Sequence, residues 1–216
     1  MADRPVIVLG AGGHAKVVVD LLVKLERTVL AAVEPSAPVG EHKLLGFAVR
    51  GEDAVLSYAP HEVDLALGIG MPSEDPIAGL SERRRVAARF EARGYGFPSL
   101  VHPSAVVASD CNIGAGAQVM AGVVLQASCS VGAFAIVNTR ASADHDCDLG
   151  EGCHLAPGAI LGGGVRVGRE TLIGIGAAVL QGLSIGAGVL IGGGAMVIAN
   201  VADGQRRVGV PTRAMS

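Results

Sequence analysis

Leu149-Gly-Glu-Gly-Cys-His-Leu155-Ala-Pro-Gly-Ala-Ile-Leu161-Gly-Gly-Gly-Val-Arg-Val167-Gly-Arg-Glu-Thr-Leu-Ile173 places an aliphatic residue at every sixth position. The same slot continues outward in both directions. Upstream it runs back through Ala143, Val137, Val131, Leu125, Val119, Ile113 and Val107 to Val101, and downstream through Val179, Ile185 and Ile191 to Val197. Seventeen consecutive slots follow one another without an insertion, and sixteen hold Val, Ile or Leu. Neither the 3.6-residue period of a helix nor the two-residue period of a strand produces a strict six. The pattern predicts a hexapeptide β-helix, in which three hexads close a triangular coil of about 18 residues and the coils stack as parallel strands. Gly follows the slot residue at Ile113, Val131, Leu149, Leu161, Val167, Ile173, Ile185 and Ile191, which points to the chain turning after each short strand.

The composition agrees with a narrow coil. The 216 residues are 50% hydrophobic but only 3% aromatic, with 32 Gly and no Trp, so the core is built from small aliphatics rather than from large rings. Abundant Val, Ile, Leu and Ala exclude disorder, and Gly without a three-residue period excludes collagen. A net charge of -3 gives no electrostatic basis for binding nucleic acid. The stretches 111–139 and 171–202 carry no Asp, Glu, Lys or Arg, long enough to suggest membrane spans. Their Gly, Asn, Gln and Ser break any continuous apolar run, however, and Met1-Ala-Asp-Arg-Pro5 lacks the basic and apolar segments of a secretion signal. A soluble cytoplasmic protein without membrane contact is expected.

Cys111, Cys129 and Cys147 are spaced by one coil, and Cys153 repeats their hexad phase. Cysteines in that phase stack inside the prism as small buried residues. With no CxxC pair and no Cys/His ligand spacing, no metal site is expected.

Upstream of the repeat, residues 1–98 read as a small Rossmann-like α/β domain with a parallel sheet, and residues 99–216 as the β-helix domain with its tail. Strands are predicted at Val6–Leu9, Thr28–Val33 and Val63–Leu67. One helix is predicted over His14–Leu25, burying Val17, Val18, Leu21 and Leu25, and another is capped by Ser81, runs to about Arg93 and stops at Gly94. The turn Gly10-Ala-Gly-Gly-His14 joins a strand to a helix, where backbone N–H groups can hold phosphate. Glu34 ends the next strand at about the ~20-residue separation of a ribose-binding acid. These features suggest a dinucleotide. Yet Ala15 stands where the fingerprint has its third glycine, and the domain is too short for two mononucleotide halves. A smaller site for a GDP- or UDP-linked sugar fits better, with Gly12, Gly13, His14 and Glu34 as contacts and Gly68 and Gly70 at a strand exit ending near Pro72.

Ala143 is the one slot that is not Val, Ile or Leu, and it opens Ala143-Asp-His-Asp-Cys147. His145 suits a general base, since an imidazole with pKa near 6.5 is mostly neutral at pH 7. Asp146 can orient the ring and stabilise its protonated form. Asn138 takes a position after a slot where Gly is frequent, and His154 precedes slot Leu155. His145 and His154 are half a coil apart and so face different sides of one prism, which would require neighbouring subunits if both served one site.

The whole chain resembles the sugar N- and O-acetyltransferases of the left-handed β-helix superfamily, especially those acting on nucleotide-linked 4-amino-sugars. The segments that carry the resemblance are Val8-Leu-Gly-Ala-Gly-Gly-His-Ala-Lys-Val17, Val101-His-Pro-Ser104, Asn138-Thr139, His145-Asp146, His154 and Gly209-Val-Pro-Thr212. It implies a left-handed coil, a homotrimer with sites between subunits, and acetyl-CoA as co-substrate in the groove between prisms. His145 is then the base for the sugar amine and Asp146 its orienting acid. Asn138 and His154 line the site, and Gly163, Ile175 and Gly193 meet the thioester and pantetheine arm. The favoured substrate is a GDP-linked 4-amino-4,6-dideoxyhexose such as GDP-perosamine, used for O-antigen or another surface polysaccharide, with a UDP-linked 4-amino-sugar as rival. O-acetylation of sialic acid or another sugar, a silent scaffold and a nucleotide-dependent oxidoreductase stay open as rival functions.

Overall fold

The computed structural model describes residues 4–34, 42–71 and 74–214. Residues 1–3, Pro35 and Pro72, on which the expectations for the amino terminus, the end of the second strand and the strand exit partly rest, lie outside the described residues. The chain forms two compact units, one of Met1–Pro72 with Glu82–Pro98 and one of Ser73–Ser81 with Ser99–Ser216.

In the first unit, β1 (Val6–Leu9), β2 (Val29–Val33), β3 (His42–Leu44), β4 (Phe47–Arg50) and β5 (Asp64–Leu67) make one sheet in the order β3-β4-β2-β1-β5. Central β1 is buried at all four residues, as the run Val-Ile-Val-Leu requires. β1 pairs in parallel with β2 and β5, and β2 with β4. β3 runs antiparallel to β4, so the sheet is mixed rather than wholly parallel. This edge hairpin turns at Leu45 and Gly46, both at positive φ, a tight turn that the short 42–50 segment does not reveal by periodicity.

α1 (Gly13–Lys24) packs on β1, β2 and β5. Its buried residues are Ala15, Val18, Val19, Leu21 and Leu22, while Val17 is 44% exposed. The apolar stripe is therefore rotated from the expected one, because three consecutive valines satisfy more than one helical face and the sheet selects among them. α2 (Pro76–Glu91) begins five residues before the expected Ser81 cap. Asp75 is the cap, its Oδ1 accepting the Ala78 N–H at 3.2 Å, with Pro pre-set in the first turn. Gly94, at φ +87°, lies just past its end. At the opposite end of the sheet from the glycine turn, Arg4 and Arg27 hold Asp64 at 2.5 and 2.8 Å.

From Leu100 to Val197 the second unit is built of two-residue strands in three parallel sheets, the architecture of a left-handed β-helix. The first face runs through the strands opening at Leu100, Gln118, Ile136, His154, Leu172 and Leu190, the second through Val106, Val124, Ser142, Ile160, Ala178 and Met196, and the third through Asn112, Ser130, Asp148, Arg166 and Ser184. Each strand presents its first residue outward and its slot residue inward. The slots stack 18 residues apart, as in Val119↔Val137, Val137↔Leu155 and Leu155↔Ile173, and from Val119 to Val197 they are all buried. Each fully buried Val, Leu or Ile side chain stabilises the prism by about 1.5–3 kcal/mol relative to exposure.

Glycine after the slot serves stacking rather than turning. A β-carbon on Gly132 would lie 2.6 Å from the Glu151 nitrogen, and one on Gly150 would lie 2.6 Å from the Arg169 nitrogen, so only glycine lets successive coils touch there. The left-handed turn comes two residues later, at positions such as Gly164 and Gly182, and at Asp146 with φ +60°. Cys129, Cys147 and Cys153 are buried in the interior, Cys111 is half-buried, and all four are free thiols. No helix among the described residues is long and apolar enough to cross a membrane.

Candidate active site

The turn Asp144-His145-Asp146 joins the second face to the third. Ala143 before it is fully buried between Leu125 and Leu161 of the inner column, so the weak slot is an internal packing feature and the polar turn after it is what interrupts the surface. Asp144 Oδ1 accepts the His145 backbone N–H at 2.8 Å, fixing the turn from a residue that nothing in the sequence pattern singles out. The left-handed conformation at Asp146 folds its carboxylate back to its neighbour, and His145 Nδ1 donates to Asp146 Oδ2 at 2.7 Å. Both side chains are about two-thirds exposed. With Nδ1 as donor, the neutral imidazole presents Nε2 as a base. The Asp146 hydrogen bond, followed by the charge of Asp144, raises the His145 pKa above its usual value.

Gly163 lies one coil further on. A β-carbon there would sit 2.5 Å from His145 Nε2 and 2.6 Å from Cε1, so the imidazole occupies the space that any side chain at this position would need. The Gly164 N–H donates to the His145 carbonyl at 2.8 Å, locking the two turns together. The Gly163 N–H has no acceptor among the described residues. An accessible base thus lies against a residue whose backbone donor is unused, and acyl transfer calls for both kinds of group, one for proton removal and one for holding an oxyanion.

Cys147, two residues from His145, is 1% exposed and donates through Sγ to the Gly162 carbonyl at 3.2 Å. Burial pushes its thiol up to about 11, which leaves it protonated near pH 7 and unsuited to act as a nucleophile.

A second polar group lies at the edge between the first and second faces. Asn138 Oδ1 accepts the Thr139 N–H at 2.8 Å, which turns Nδ2 toward His154 Nε2 at 3.1 Å. Nε2 of His154 therefore accepts, and its ring proton resides on Nδ1. His154 is 5% exposed. The Thr139, Pro157 and Ile175 carbonyls accept from Gly158, Gly176 and Gly194 at 2.9, 3.0 and 2.8 Å, making a ladder along this edge that ends beside Gly193, with Ile175 66% exposed. Asn138, His154, Ile175 and Gly193 thus line one side of the second face, whereas His145, Asp146 and Gly163 line the other. Arg206 and Arg207 extend the first face beyond the last full coil, and Arg213 lies on the antiparallel strand paired with them.

In the first unit, a cavity of about 310 Å³ opens at the carboxyl ends of β1, β2 and β5, lined by Leu9–Gly12, Val33, Glu34, Gly68–Gly70, Glu52, Glu82 and Val86. This is where ligands bind in open α/β sheets. Gly10, at φ +110°, comes so close to Gly68 that a β-carbon would lie 2.9 Å from its carbonyl carbon. Glu34 Oε2 accepts the Ala11 N–H at 3.1 Å, and Gly12 caps α1 without a side-chain bond, leaving helix N–H groups for an anion. The structure gathers Gly12, Glu34, Gly68 and Gly70 around this cavity, while Gly13 and His14 begin α1 beside it. Glu52 and Glu82, on a 3-10 turn and on α2, escape a reading of the sequence because nothing in their local pattern distinguishes them from solvated carboxylates. No group of three metal-binding side chains converges among the described residues.

Residues 5–74 match the family described as the PglD N-terminal domain. No curated protein matches the chain. Among solved structures, a single-residue variant of GDP-perosamine N-acetyltransferase from Caulobacter crescentus, in complex with CoA and GDP-perosamine, is 35% identical over 100% of this chain and 98% of its own, with TM-score 0.89. The acetyltransferase domain of PglB from Neisseria gonorrhoeae FA1090, in complex with acetyl coenzyme A, is 33% identical over 99% of this chain and 100% of its own, with TM-score 0.90. WeeI from Acinetobacter baumannii AYE, 24% identical over 98% of this chain and 100% of its own with TM-score 0.86, shares the fold.

Proposed function

The chain belongs to the acetyl-CoA-dependent N-acetyltransferases of nucleotide-linked amino sugars built on the left-handed β-helix, and we propose that its substrate is a GDP-linked 4-amino-4,6-dideoxyhexose, acetylated by direct attack with His145 as general base. The observation that carries the mechanism is that the His145 ring lies against Gly163, whose N–H has no acceptor among the described residues. The neutral sugar amine attacks the thioester carbonyl and gives its proton to Nε2. Asp146 holds the ring and stabilises the imidazolium, while the Gly163 N–H stabilises the tetrahedral oxyanion. Collapse breaks the carbon–sulfur bond, and the departing CoA thiolate takes the proton back from the imidazolium. Holding both reactants in attack geometry supplies much of the acceleration.

The choice of GDP is supported by the 35% identity to a GDP-perosamine enzyme. Comparison of kcat/KM for matched GDP- and UDP-linked 4-amino-sugars, followed by thiol release, tests it. At least about a tenfold preference for GDP is expected, the yield of one or two unshared hydrogen bonds. A preference for UDP would replace this substrate with its rival.

In the same reading the active form is a homotrimer in which the His145 edge of one copy meets the Asn138–His154 edge of another. The two edges flank the second face, whose outward Val106 and Ile160 are 64% and 53% exposed, while the third face presents Asn112, Ser130, Asp148, Arg166 and Ser184. The outward residues of the second face are apolar except for Ser142, and an exposed apolar face of this kind marks an association surface. Ile160→Glu is therefore expected to convert the trimer to monomer in sedimentation velocity and to abolish turnover.

The raised pKa of His145 sets the acid limb of the rate. Neutral imidazole is the working form, so kcat/KM falls as pH drops through a pKa above the ordinary histidine value of about 6.5. Asp146→Asn removes the largest cause of the shift and moves this limb to lower pH, read from the pH–rate profile.

A further inference from the structure

One buried charge is left unused by this mechanism. Arg83, on α2 between the cavity-lining Glu82 and Val86, is 2% exposed. Its Nη1 donates to the carbonyl of Ile69 at 2.5 Å, and its Nη2 is buried with no acceptor. No carboxylate of the described residues pairs with it. Burial draws its pKa down to about 10, which still leaves it charged at neutral pH. A buried guanidinium without a counter-ion is costly to the fold, so its retention calls for a partner that arrives later.

The surroundings indicate which partner. Ile69 is flanked by Gly68 and Gly70, all three lining the cavity opposite the glycine turn. The Gly68 N–H is held by the Leu9 carbonyl at 2.7 Å, and the bond from Arg83 holds the carbonyl of the next residue, Ile69. The cavity lining itself contains Glu34, Glu52 and Glu82 and no Lys, Arg or His. Arg89 neutralises Glu52 at 2.6 Å and Arg85 neutralises Glu82 at 2.5 Å, which leaves Glu34 uncompensated. A nucleoside diphosphate adds further negative charge to such a lining, and a cation in the low-dielectric wall behind it offsets that charge more strongly than one in water.

We propose that Arg83 is a positioning residue for the nucleotide-sugar. From behind the strand exit it fixes Ile69 against the glycine turn and supplies the positive charge that the cavity lining lacks. This rests on the nucleotide-sugar reading given above. The test compares Arg83→Gln, which keeps a donor for Ile69 but discards the charge, with Arg83→Lys, which keeps both, in the full chain. For Arg83→Gln the nucleotide-sugar KM rises about 10- to 100-fold, the yield of one charge-assisted contact, while kcat and the acetyl-CoA KM stay within about twofold. Arg83→Lys recovers the nucleotide-sugar KM to within about fivefold of the native value. Equal KM values for the two variants, a parallel rise in both substrates' KM, or a lowered melting temperature with unchanged KM would each overturn the proposal. Calorimetric binding of GDP to native and Arg83→Gln protein separates this failure from that of the function. If the native chain binds GDP and the variant binds it more weakly, the role of Arg83 stands whichever amine is acetylated. Equal GDP affinities remove it.

Discussion

Replacing His145 with Asn lowers kcat for acetyl transfer about 10²- to 10⁴-fold, the usual contribution of a positioned general base, and leaves the KM of both substrates within about threefold. The asymmetry follows from the geometry. The ring is about two-thirds exposed and belongs to no packed core, so its loss does not disturb the prism. Its Nε2 matters only once the amine begins to lose a proton, so the missing interaction belongs to the transition state and appears in kcat. Stopped-flow thiol release with saturating substrates, alongside a melting curve, gives both quantities. An unchanged rate would remove His145 from the chemistry.

Gly163→Ala lowers kcat by about 10²-fold or more without lowering the melting temperature. The three atoms nearest a β-carbon at 163 all belong to the His145 imidazole, the first being Nε2 at 2.5 Å, so the side-chain ring is what gives way. A base displaced by this much loses the alignment on which proximity effects depend. The neighbouring Gly162 provides the contrast, since a β-carbon there lies 2.8 Å from the Gln181 backbone nitrogen. Gly162→Ala pushes coils apart and is read in stability instead. The two substitutions, one residue apart, separate a demand of the site from a demand of the stack.

Much of the second unit is legible in the sequence because a period of six repeated over seventeen slots admits one architecture. The same arithmetic also bears on the site, since Gly163 follows His145 by 18 residues, one coil, and residues a coil apart stack. The contact between His145 and Asp146 is not legible in this way. Adjacent side chains ordinarily diverge, and only the left-handed backbone at Asp146 brings them to 2.7 Å. The role of the slot-following glycines differs from the expected one for a related reason, as a sequence reports that a residue is small without reporting whether torsion or close approach demands it. In the first unit, the cavity draws Glu52 and Glu82 from elements distant in sequence, and Asp75-Pro76 is the true start of α2 although Ser81 offers an equally good local cap.

The most direct measurement is product analysis after the native chain has been incubated with acetyl-CoA and a GDP-linked 4-amino-4,6-dideoxyhexose. Free thiol is titrated and the purified sugar nucleotide is assigned by NMR. The account predicts one amide at N4 for each thiol released, and an initial rate of amide formation about 10²- to 10⁴-fold lower when His145 is replaced by Asn. Acetyl found on a hydroxyl, thiol released without amide, or no turnover of any nucleotide-linked amine would contradict it.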